Sequence, residues 1–373
     1  MKLYGFFVLF LLTVVLTGSI YFTLNFDFIE KIPAAVLNIF NTEKTIKINK
    51  HLTLNPQKGV YSTIWSARSK RMTDLIRIAD ETEINTIVID IKDSGVYIDN
   101  YVKNLVGELR KKNIYTIARL VIFQDNSQIE YHPDWYFKKS DGALWIDNRG
   151  WYWMNPAEWG AWEYNLAAAE QAIDAGFDEL NFDYIRYPSF KKDDDVVFAP
   201  VLKNQIINDF ARYLTSELKK YDPEITLSID LFAYSMLNGS DLGVGQVFAE
   251  LYDYFDYVSP MIYPSHYLPG NFGFDNPAEY PYEVVLGTIE KGKQQLWEKS
   301  AAEVGTSTPA IVSLVFGKRL KKLRPWLQDF NIGAIYNSEM VRKEKQAVYD
   351  TGLTSGWLLW NPRNVYTESA LDK

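Results

Sequence analysis

The sequence predicts a single (β/α)8 TIM barrel, a fold in which parallel strands alternate with helices and close into a cylinder. Eight runs of β-branched and aromatic residues alternate with amphipathic stretches from Lys58 to the C-terminus. The runs are almost continuously apolar, as expected of parallel strands that are buried on both faces. No G-x-G-x-x-G turn follows an early strand, which disfavours an open, doubly wound sheet.

The strands are predicted from runs rich in Val, Ile, Tyr and Phe that are bounded by turn residues. They lie at 59–66, 85–94, 114–123, 176–189, 226–235, 257–267, 322–330 and 356–362. Apolar residues at helical spacing between the strands predict the helices. These lie at 70–82, 100–113, 160–176, 201–221, 245–255, 282–300 and 338–352. The apolar run AIVSLVF at 310–316 is an alternative position for the seventh strand.

The N-terminal segment is distinct from the barrel. Residues 3–24 carry no charge and follow Lys2, and roughly 20 apolar residues span a bilayer as a helix. We therefore predict a transmembrane signal anchor over 1–24, a stalk over 25–55 and the barrel over 56–373. Lys2 would stay in the cytoplasm. The segment would then anchor the chain in the cell membrane as a single span, with the barrel outside the cytoplasm. Cleavage near 17–19, followed by secretion, is the alternative.

Composition excludes several classes of partner and chemistry. The net charge is −8 without a long basic run, which argues against nucleic acid as a partner. The chain has no cysteine and only three histidines, so thiolate catalysis is excluded and a multi-histidine zinc site is not expected. We predict no metal and no cofactor. Aromatic residues make up 15% of the chain, which favours a sugar ligand because aromatic faces stack on sugars.

Polar side chains accumulate at the C-terminal ends of the predicted strands, where the active site of such a barrel lies. A carboxylate inside a strand is paired or functional, because burial of a lone charge costs several kcal/mol. Four acids on four strand ends are therefore typical of a catalytic cleft. The polar groups at these ends include Asp90, Asp93, Asp183, Arg186, Asp230, Tyr263, His266, Asp329 and Trp360.

Carboxylates are the most abundant reactive groups at these ends, and a pair of them hydrolyses a glycosidic bond. One acid protonates the leaving oxygen, and one carboxylate attacks the anomeric carbon or activates water. We predict Asp183 as the nucleophile or general base and Asp230, on the next strand, as its partner. Asp329 and Asp90 rank next as the second acid. An Asp183–Arg186 ion pair that only shapes the barrel rim is the structural alternative.

Other side chains at the same end are candidates for binding the sugar. Trp153 lies in the loop LWIDNRGWYWMNP at 144–156, where three tryptophans stand among polar residues, glycine and proline. His266 is the only histidine at a predicted strand end, where it polarises a hydroxyl or has a structural hydrogen bond. The predicted substrate contacts are Arg186, Tyr187, Asp90, Tyr263, His266, Asp329, Trp153 and Trp360.

Blocks of sequence in order, among them GVYSTIWSA, VIDIKDSGVYI, FDELNFDYIRYPS and GWLLWNPRNVYTESAL, resemble a bacterial family of glycoside hydrolase-like TIM-barrel domains. The resemblance runs from about Lys58 to the C-terminus, and the activity of this family is largely unassigned. It implies a (β/α)8 barrel, sugar hydrolysis and a main acid at Asp183.

A more distant similarity to family 18 chitinases fails at two positions of their motif. Their strand-four motif DGxDxDxE aligns with Asp178 and Asp183, but Asn181 replaces the middle aspartate and Ile185 stands at the general acid. The substrate-assisted mechanism of those enzymes therefore does not carry over. The second carboxylate must come from another strand.

The function predicted from the sequence is a glycoside hydrolase that cleaves a cell-surface or extracellular polysaccharide by a two-carboxylate mechanism. The alternative is a non-catalytic barrel that binds carbohydrate of the cell wall through the same aromatic cleft. A deacetylase or lyase is a third hypothesis. Deacetylases generally need a metal site, and the scarcity of histidine weighs against one.

Overall fold

The computed structural model describes residues 51–54, 56–305 and 309–373. The predicted signal anchor over 1–24 and the stalk up to residue 50 lie outside the described residues. Within those residues, no helix is long and apolar enough to cross a membrane. One compact unit comprises Ile48–Gln295 and Arg319–Lys373, and Leu296–Lys318 belongs to a second unit.

Eight parallel strands form a closed barrel, because the first strand pairs with both the second and the last. The predicted (β/α)8 fold is thereby confirmed. The strands are β1 Gln57–Ser62, β2 Thr86–Asp93, β3 Tyr115–Val121, β4 Glu179–Asp183, β5 Thr226–Phe232, β6 Tyr257–Met261, β7 Trp326–Gln328 and β8 Gly356–Trp360. A two-residue strand, Gly95–Val96, pairs antiparallel with the end of β2.

The helices within Ile48–Gln295 and Arg319–Lys373 present apolar stripes to the strands. Four of them begin at side-chain caps from Thr63, Ser69, Asp99 and Asn337, which accept hydrogen bonds from the first turn. The helices are α1 Ile64–Ala67, α2 Lys70–Glu81, α3 Asn100–Lys111, α4 Trp159–Asp174, α5 Lys203–Tyr221, α6 Ser235–Asn238, α7 Phe248–Leu251, α8 Pro281–Val304, α9 Pro309–Leu320 and α10 Ser338–Asp350.

Several elements differ from the sequence prediction, among them the first predicted strand, whose end is helical as α1. The run at 310–316 is helical within α9, and the seventh strand is the short Trp326–Gln328. The helix predicted at 245–255 is reduced to the single turn of α7. The strand predicted over 176–189 ends at Asp183, because Tyr184 adopts a left-handed backbone with φ of 57°.

The last residues of the predicted stalk already contact the barrel. His51 Nε2 lies 3.0 Å from Asp222 Oδ2, and both side chains are buried. The backbone N–H of Leu52 donates to Asp178 Oδ1 over 2.8 Å. The ordered barrel unit therefore begins before Pro56.

Strand register places the polar interior residues side by side. Asp90 of β2 pairs with Arg119 of β3, and Arg119 pairs with Asn181 of β4. Successive side chains of a strand alternate between faces, so Asn181 and Asp183 share the interior face. The same period places Ser228 and Asp230 of β5 on that face, with Ser228 in register with Asn181. Four neighbouring strands thus direct polar groups to one end of the barrel.

Candidate active site

A guanidinium at the centre of three carboxylates organises the C-terminal end of the barrel. Arg119 Nη1 donates to Asp90 Oδ1 over 2.5 Å, and Nη2 donates to Asp183 Oδ2. Arg119 Nε lies 3.7 Å from Asp230 Oδ2. The Arg119 side chain is 14% exposed, and its acids hold its pKa well above the usual range despite burial, which acts in the opposite direction. We call Arg119, Asp90, Asp183 and Asp230 the carboxylate cluster.

Asp183 is held as an ion pair at the very end of β4. Besides the bond from Arg119, its Oδ1 accepts the backbone N–H of Tyr184 over 2.6 Å. That N–H is presented by the left-handed conformation of Tyr184, which a bulky residue adopts only under local constraint. Charge-assisted bonds of this kind stabilise the ionised form of a carboxylate.

Asp230 has a different environment, although it lies on the adjacent strand. Its Oδ1 accepts Asn181 Nδ2 over 2.9 Å and Trp326 Nε1 over 2.7 Å. Burial, followed by the charge of Asp183, raises the pKa of Asp230 to about 8, although Arg119 acts to lower it. Asp230 therefore carries a proton at neutral pH, whereas Asp183 has a cationic partner.

Asp90 differs from both because each of its oxygens accepts a strong donor. Oδ2 accepts the Tyr61 hydroxyl and Oδ1 accepts Arg119. Burial raises the pKa of Asp90, and the Arg119 charge opposes that effect. The structure therefore brings Asp90 into the cluster as a neighbour of Arg119, with both of its oxygens already occupied.

The chain matches a described protein family. Residues 59–366 match the family described as "Putative glycosyl hydrolase domain". The chain belongs to this family. The match covers most of the chain, and it confirms the predicted membership and the glycosidase class.

Solved structures with similar folds include one protein of unstated function and several glycosidases. A hypothetical protein from Ruminiclostridium thermocellum is 32% identical, with a TM-score of 0.42, over 46% of this chain and 96% of that one. An α-galactosidase from Thermus thermophilus is 11% identical over 84% of this chain and 60% of its own, with a TM-score of 0.47. The GH36 α-galactosidase AgaB from Geobacillus stearothermophilus is 10% identical over 84% of this chain and 40% of its own, with a TM-score of 0.49. This glycosyl hydrolase domain thus spans less than two thirds of either galactosidase, and no curated protein matches it.

An aromatic wall stands beside the carboxylate cluster of this glycosyl hydrolase domain. The rings of Tyr263 and Trp360 stack with centroids 5.5 Å apart, and Trp360 also lies 6.3 Å from the ring of Tyr61. Burial, and then the Asp230 charge, raise the pKa of Tyr263. His266 lies at the edge of this wall, 5.5 Å from the Tyr263 ring, with its Nδ1 3.0 Å from Ser265 Oγ. Tyr263 and Trp360, as predicted, are therefore near the acids.

Asp329 fixes the C-terminal segment. Its carboxylate accepts the backbone N–H of Thr367 over 2.8 Å and the Thr367 hydroxyl over 2.7 Å. Both oxygens are therefore occupied within the protein. This environment favours Asp230 over Asp329 as the second acid.

Tyr187 and Trp153 are buried within loops. The Tyr187 ring packs 5.8 Å from Phe137. Trp153 is 2% exposed, and its Nε1 donates to Asp147 over 3.0 Å. For these two residues the structure shows packing, and their predicted contact with substrate stays a prediction.

Two residues near the site were missed by sequence reasoning. Arg119 stands inside the apolar run IARLVIF, and a charge inside a strand was the available signal. Trp65 is 67% exposed in α1, directly after β1, and its ring contacts Tyr97 at 5.5 Å. Trp65 was assigned to a predicted strand, which concealed its exposure. A largely exposed indole next to a barrel mouth offers a flat surface to a sugar ring.

Within residues 51–54, 56–305 and 309–373, no group of three or more His, Asp or Glu side chains is arranged to hold a metal ion. The acids of the carboxylate cluster are instead bound to Arg119 and to hydrogen-bond donors.

Proposed function

We propose that this domain hydrolyses glycosidic bonds of a polysaccharide with Asp183 as the ionised carboxylate and Asp230 as the general acid. The observation that carries the proposal is the contrast between two carboxyl groups that share Arg119. Asp183 forms an ion pair with it, whereas burial holds the pKa of Asp230 at about 8. A pair of titratable groups with such separated environments is the usual signature of an acid and a base.

In the proposed reaction, Asp230 donates its proton to the glycosidic oxygen as the bond to the anomeric carbon breaks. Asp183 then either attacks that carbon or takes a proton from the attacking water. Arg119 pairs with one oxygen of Asp183 and orients the side chain, and the backbone N–H of Tyr184 fixes the other oxygen.

Asp230 is a better candidate than Asp90 for the acid. Among the described residues, Asp230 Oδ2 accepts no hydrogen bond and has only the 3.7 Å contact with Arg119. Both oxygens of Asp90 are occupied by Tyr61 and Arg119. A proton on Asp230 Oδ2 can therefore be passed to a substrate without breaking an internal bond.

The test is hydrolysis of bacterial cell-wall and exopolysaccharide fractions by the purified full chain, measured as new reducing ends. We expect Asp183→Asn and Asp230→Asn each to lower the rate about 10²–10⁴-fold, the usual contribution of acid–base catalysis. Asp209→Asn, which removes an exposed carboxylate from α5, is the matched control and should leave the rate unchanged. Binding of these fractions by the wild type without cleavage would instead support the non-catalytic barrel.

We propose further that the domain acts outside the cytoplasm, attached to the cell membrane. The uncharged segment 3–24 after Lys2 supports this location. Protease treatment of intact cells should remove the barrel from the membrane fraction. A barrel that resists protease until the cells are lysed would contradict this location.

A further inference from the structure

Arg186 is a buried cation next to the proposed catalytic residues. It follows Asp183 by three residues, and the residue is 8% exposed. Its guanidinium carbon lies over three rings, at 4.7 Å from Trp153, 4.8 Å from Tyr184 and 4.5 Å from Phe232. We call these three rings the aromatic cage. Phe232 ends β5, two residues after Asp230, so the cage lies at the rim between the strands that carry both acids.

Arg186 lacks the anionic partner that other buried cations of this barrel possess. Its guanidinium donates from Nη1 to the Tyr187 carbonyl over 3.0 Å. No carboxylate of the described residues forms an ion pair with it, whereas Arg324 binds Glu179 and Lys92 binds Asp125. A guanidinium has five N–H donors in a planar fork, which suits a partner that accepts two of them at once.

A second cation without an ion pair lies in the loop that also carries Trp153 of the aromatic cage. Arg149 is exposed in this loop, and no acid of the described residues pairs with its guanidinium. Burial is the main cause of the lowered pKa of Arg186, and the Arg149 charge lowers it further. Burial and then Arg149 also lower the pKa of His266. Neither Arg186 nor Arg149 is neutralised by an acid of the described residues, so both are available to an anion.

We propose that Arg186 and Arg149 bind a carboxylate or sulfate group on the sugar next to the scissile bond, so that the substrate is an acidic polysaccharide. This inference rests on the proposed function, because the cage is placed relative to Asp183 and Asp230. The three rings hold the guanidinium in one orientation, which suits the two-point binding of a planar carboxylate or of a sulfate. The net negative charge of the whole chain does not oppose the binding of an anion, because Arg186 and Arg149 form no ion pair with an acid of the described residues.

A purely structural role for Arg186 is the competing explanation. Cation–π contacts stabilise a guanidinium through its face, but they leave its N–H groups at the edge unsatisfied. Lys203 provides a comparison, since it lies over the rings of Tyr187, Phe190 and Phe198 and donates to the Gly243 carbonyl. Lys203 therefore serves as a matched control, a cation among three rings outside the carboxylate cluster.

The test measures binding, so that it does not depend on turnover. Glucuronate, glucose 6-sulfate and glucose are the probes, and ligand-observed NMR on the full-length Asp183→Asn chain gives their affinities. We expect at least one anionic sugar to bind about 10-fold or more tightly than glucose, as a charge-assisted pair predicts. The two anionic probes distinguish a carboxylate site from a sulfate site.

Variants of the cations then locate the site. Arg186→Gln should reduce binding of the anionic sugar to the level of glucose, and Arg149→Gln, an exposed change that leaves the fold intact, should weaken it several-fold. Lys203→Gln should leave the preference unchanged. Equal affinity for all three sugars, or an anionic preference that survives both arginine variants, would overturn the inference. Hydrolysis of an acidic polysaccharide at an undiminished rate by Arg186→Gln would also overturn it while leaving the proposed function standing.

Discussion

Asp183 and Asp230 are two buried carboxyl groups on adjacent strands whose contacts with Arg119 differ. Asp183 receives two charge-stabilising bonds, from Arg119 and from the Tyr184 N–H. Asp230 accepts two neutral donors, lies 3.7 Å from Arg119 Nε and is 1% exposed. Desolvation therefore dominates at Asp230, whereas charge pairing is the main feature at Asp183.

The raised pKa of Asp230 predicts that activity falls at alkaline pH, a decline that we call the alkaline limb of the pH profile. Because the pKa of Asp230 is raised to about 8, the acid form predominates below that pH and is lost as the pH rises through it. Activity, measured as kcat/KM from pH 5 to 10 on a substrate with a poor leaving group, should fall above about pH 8.

Asp230→Asn should remove this alkaline limb and spare activity on a substrate whose leaving group needs no proton, such as a dinitrophenyl glycoside. On the substrate with the poor leaving group, kcat/KM of the same variant should fall about 10²–10⁴-fold. A limb that persists in Asp230→Asn would assign the acid to another residue. Asp209→Asn, on the exposed face of α5, should reproduce the wild-type profile.

At the scale of residues, the sequence predicted the acids but not their partner. Asp183 and Asp230 are detectable because a carboxylate interrupts an apolar run. Arg119 interrupts such a run as well, but its role depends on the register that aligns β2, β3 and β4, and the sequence alone does not supply register. The ion pair of Asp183 is therefore with Arg119 and not with Arg186, which the sequence offered as the structural alternative.

Among the elements, the contact between β1 and β8 closes the barrel and depends on a glycine. Gly356 has φ of 91°, and a Cβ at this position would lie 1.8 Å from the Gln57 carbonyl oxygen. Gln57 and Gly356 are paired in the register of the two strands. Both the backbone conformation and the close approach therefore require glycine.

Gly356→Ala should destabilise the protein by about 3 kcal/mol or more, because the β1–β8 seam must shift and the residue is strained. Gly352→Ala is the control, since Gly352 also has a positive φ of 76° but nothing within 4 Å of its added Cβ. The control should lose only about 1 kcal/mol of unfolding free energy. Urea unfolding followed by circular dichroism measures both, and similar losses for the two variants would contradict the steric argument.

Element prediction succeeded where periodicity was long and failed where runs were short. Helices such as α2 and α5 show sustained apolar spacing, and both were predicted within a few residues. The run at 310–316 has no clear period, and an apolar run of that length suits a strand or a buried helix equally. The three-residue β7 is too short to produce a pattern, so its position depends on pairing with β6 and β8.

Across the whole molecule, a buried ion pair joins opposite parts of the barrel beneath the carboxylate cluster. Arg324, just before β7, donates through Nη1 to Glu179 of β4 over 3.1 Å and through Nη2 to its other oxygen. Both side chains are fully buried. Tyr115 of β3 and Ser228 of β5 also donate to Glu179, over 3.2 Å and 2.5 Å.

The same network reaches the proposed acid. Asn181 Nδ2 donates to Ser228 Oγ over 3.0 Å and to Asp230 Oδ1 over 2.9 Å. A continuous chain of hydrogen bonds thus runs from the Glu179–Arg324 pair to Asp230. The position of Asp230 therefore depends on contacts spread over four strands.

Removal of one partner of the Glu179–Arg324 pair should destabilise the protein more than removal of both. Arg324→Met leaves the Glu179 carboxylate buried without its cation, and should cost about 3–5 kcal/mol of unfolding free energy. Glu179→Leu combined with Arg324→Met removes both charges, and should be more stable than Arg324→Met alone. Urea unfolding of the full chain at pH 7 measures each variant. If the double variant were less stable than Arg324→Met, the pair would be adding stability beyond mutual neutralisation, and the charge argument would be wrong.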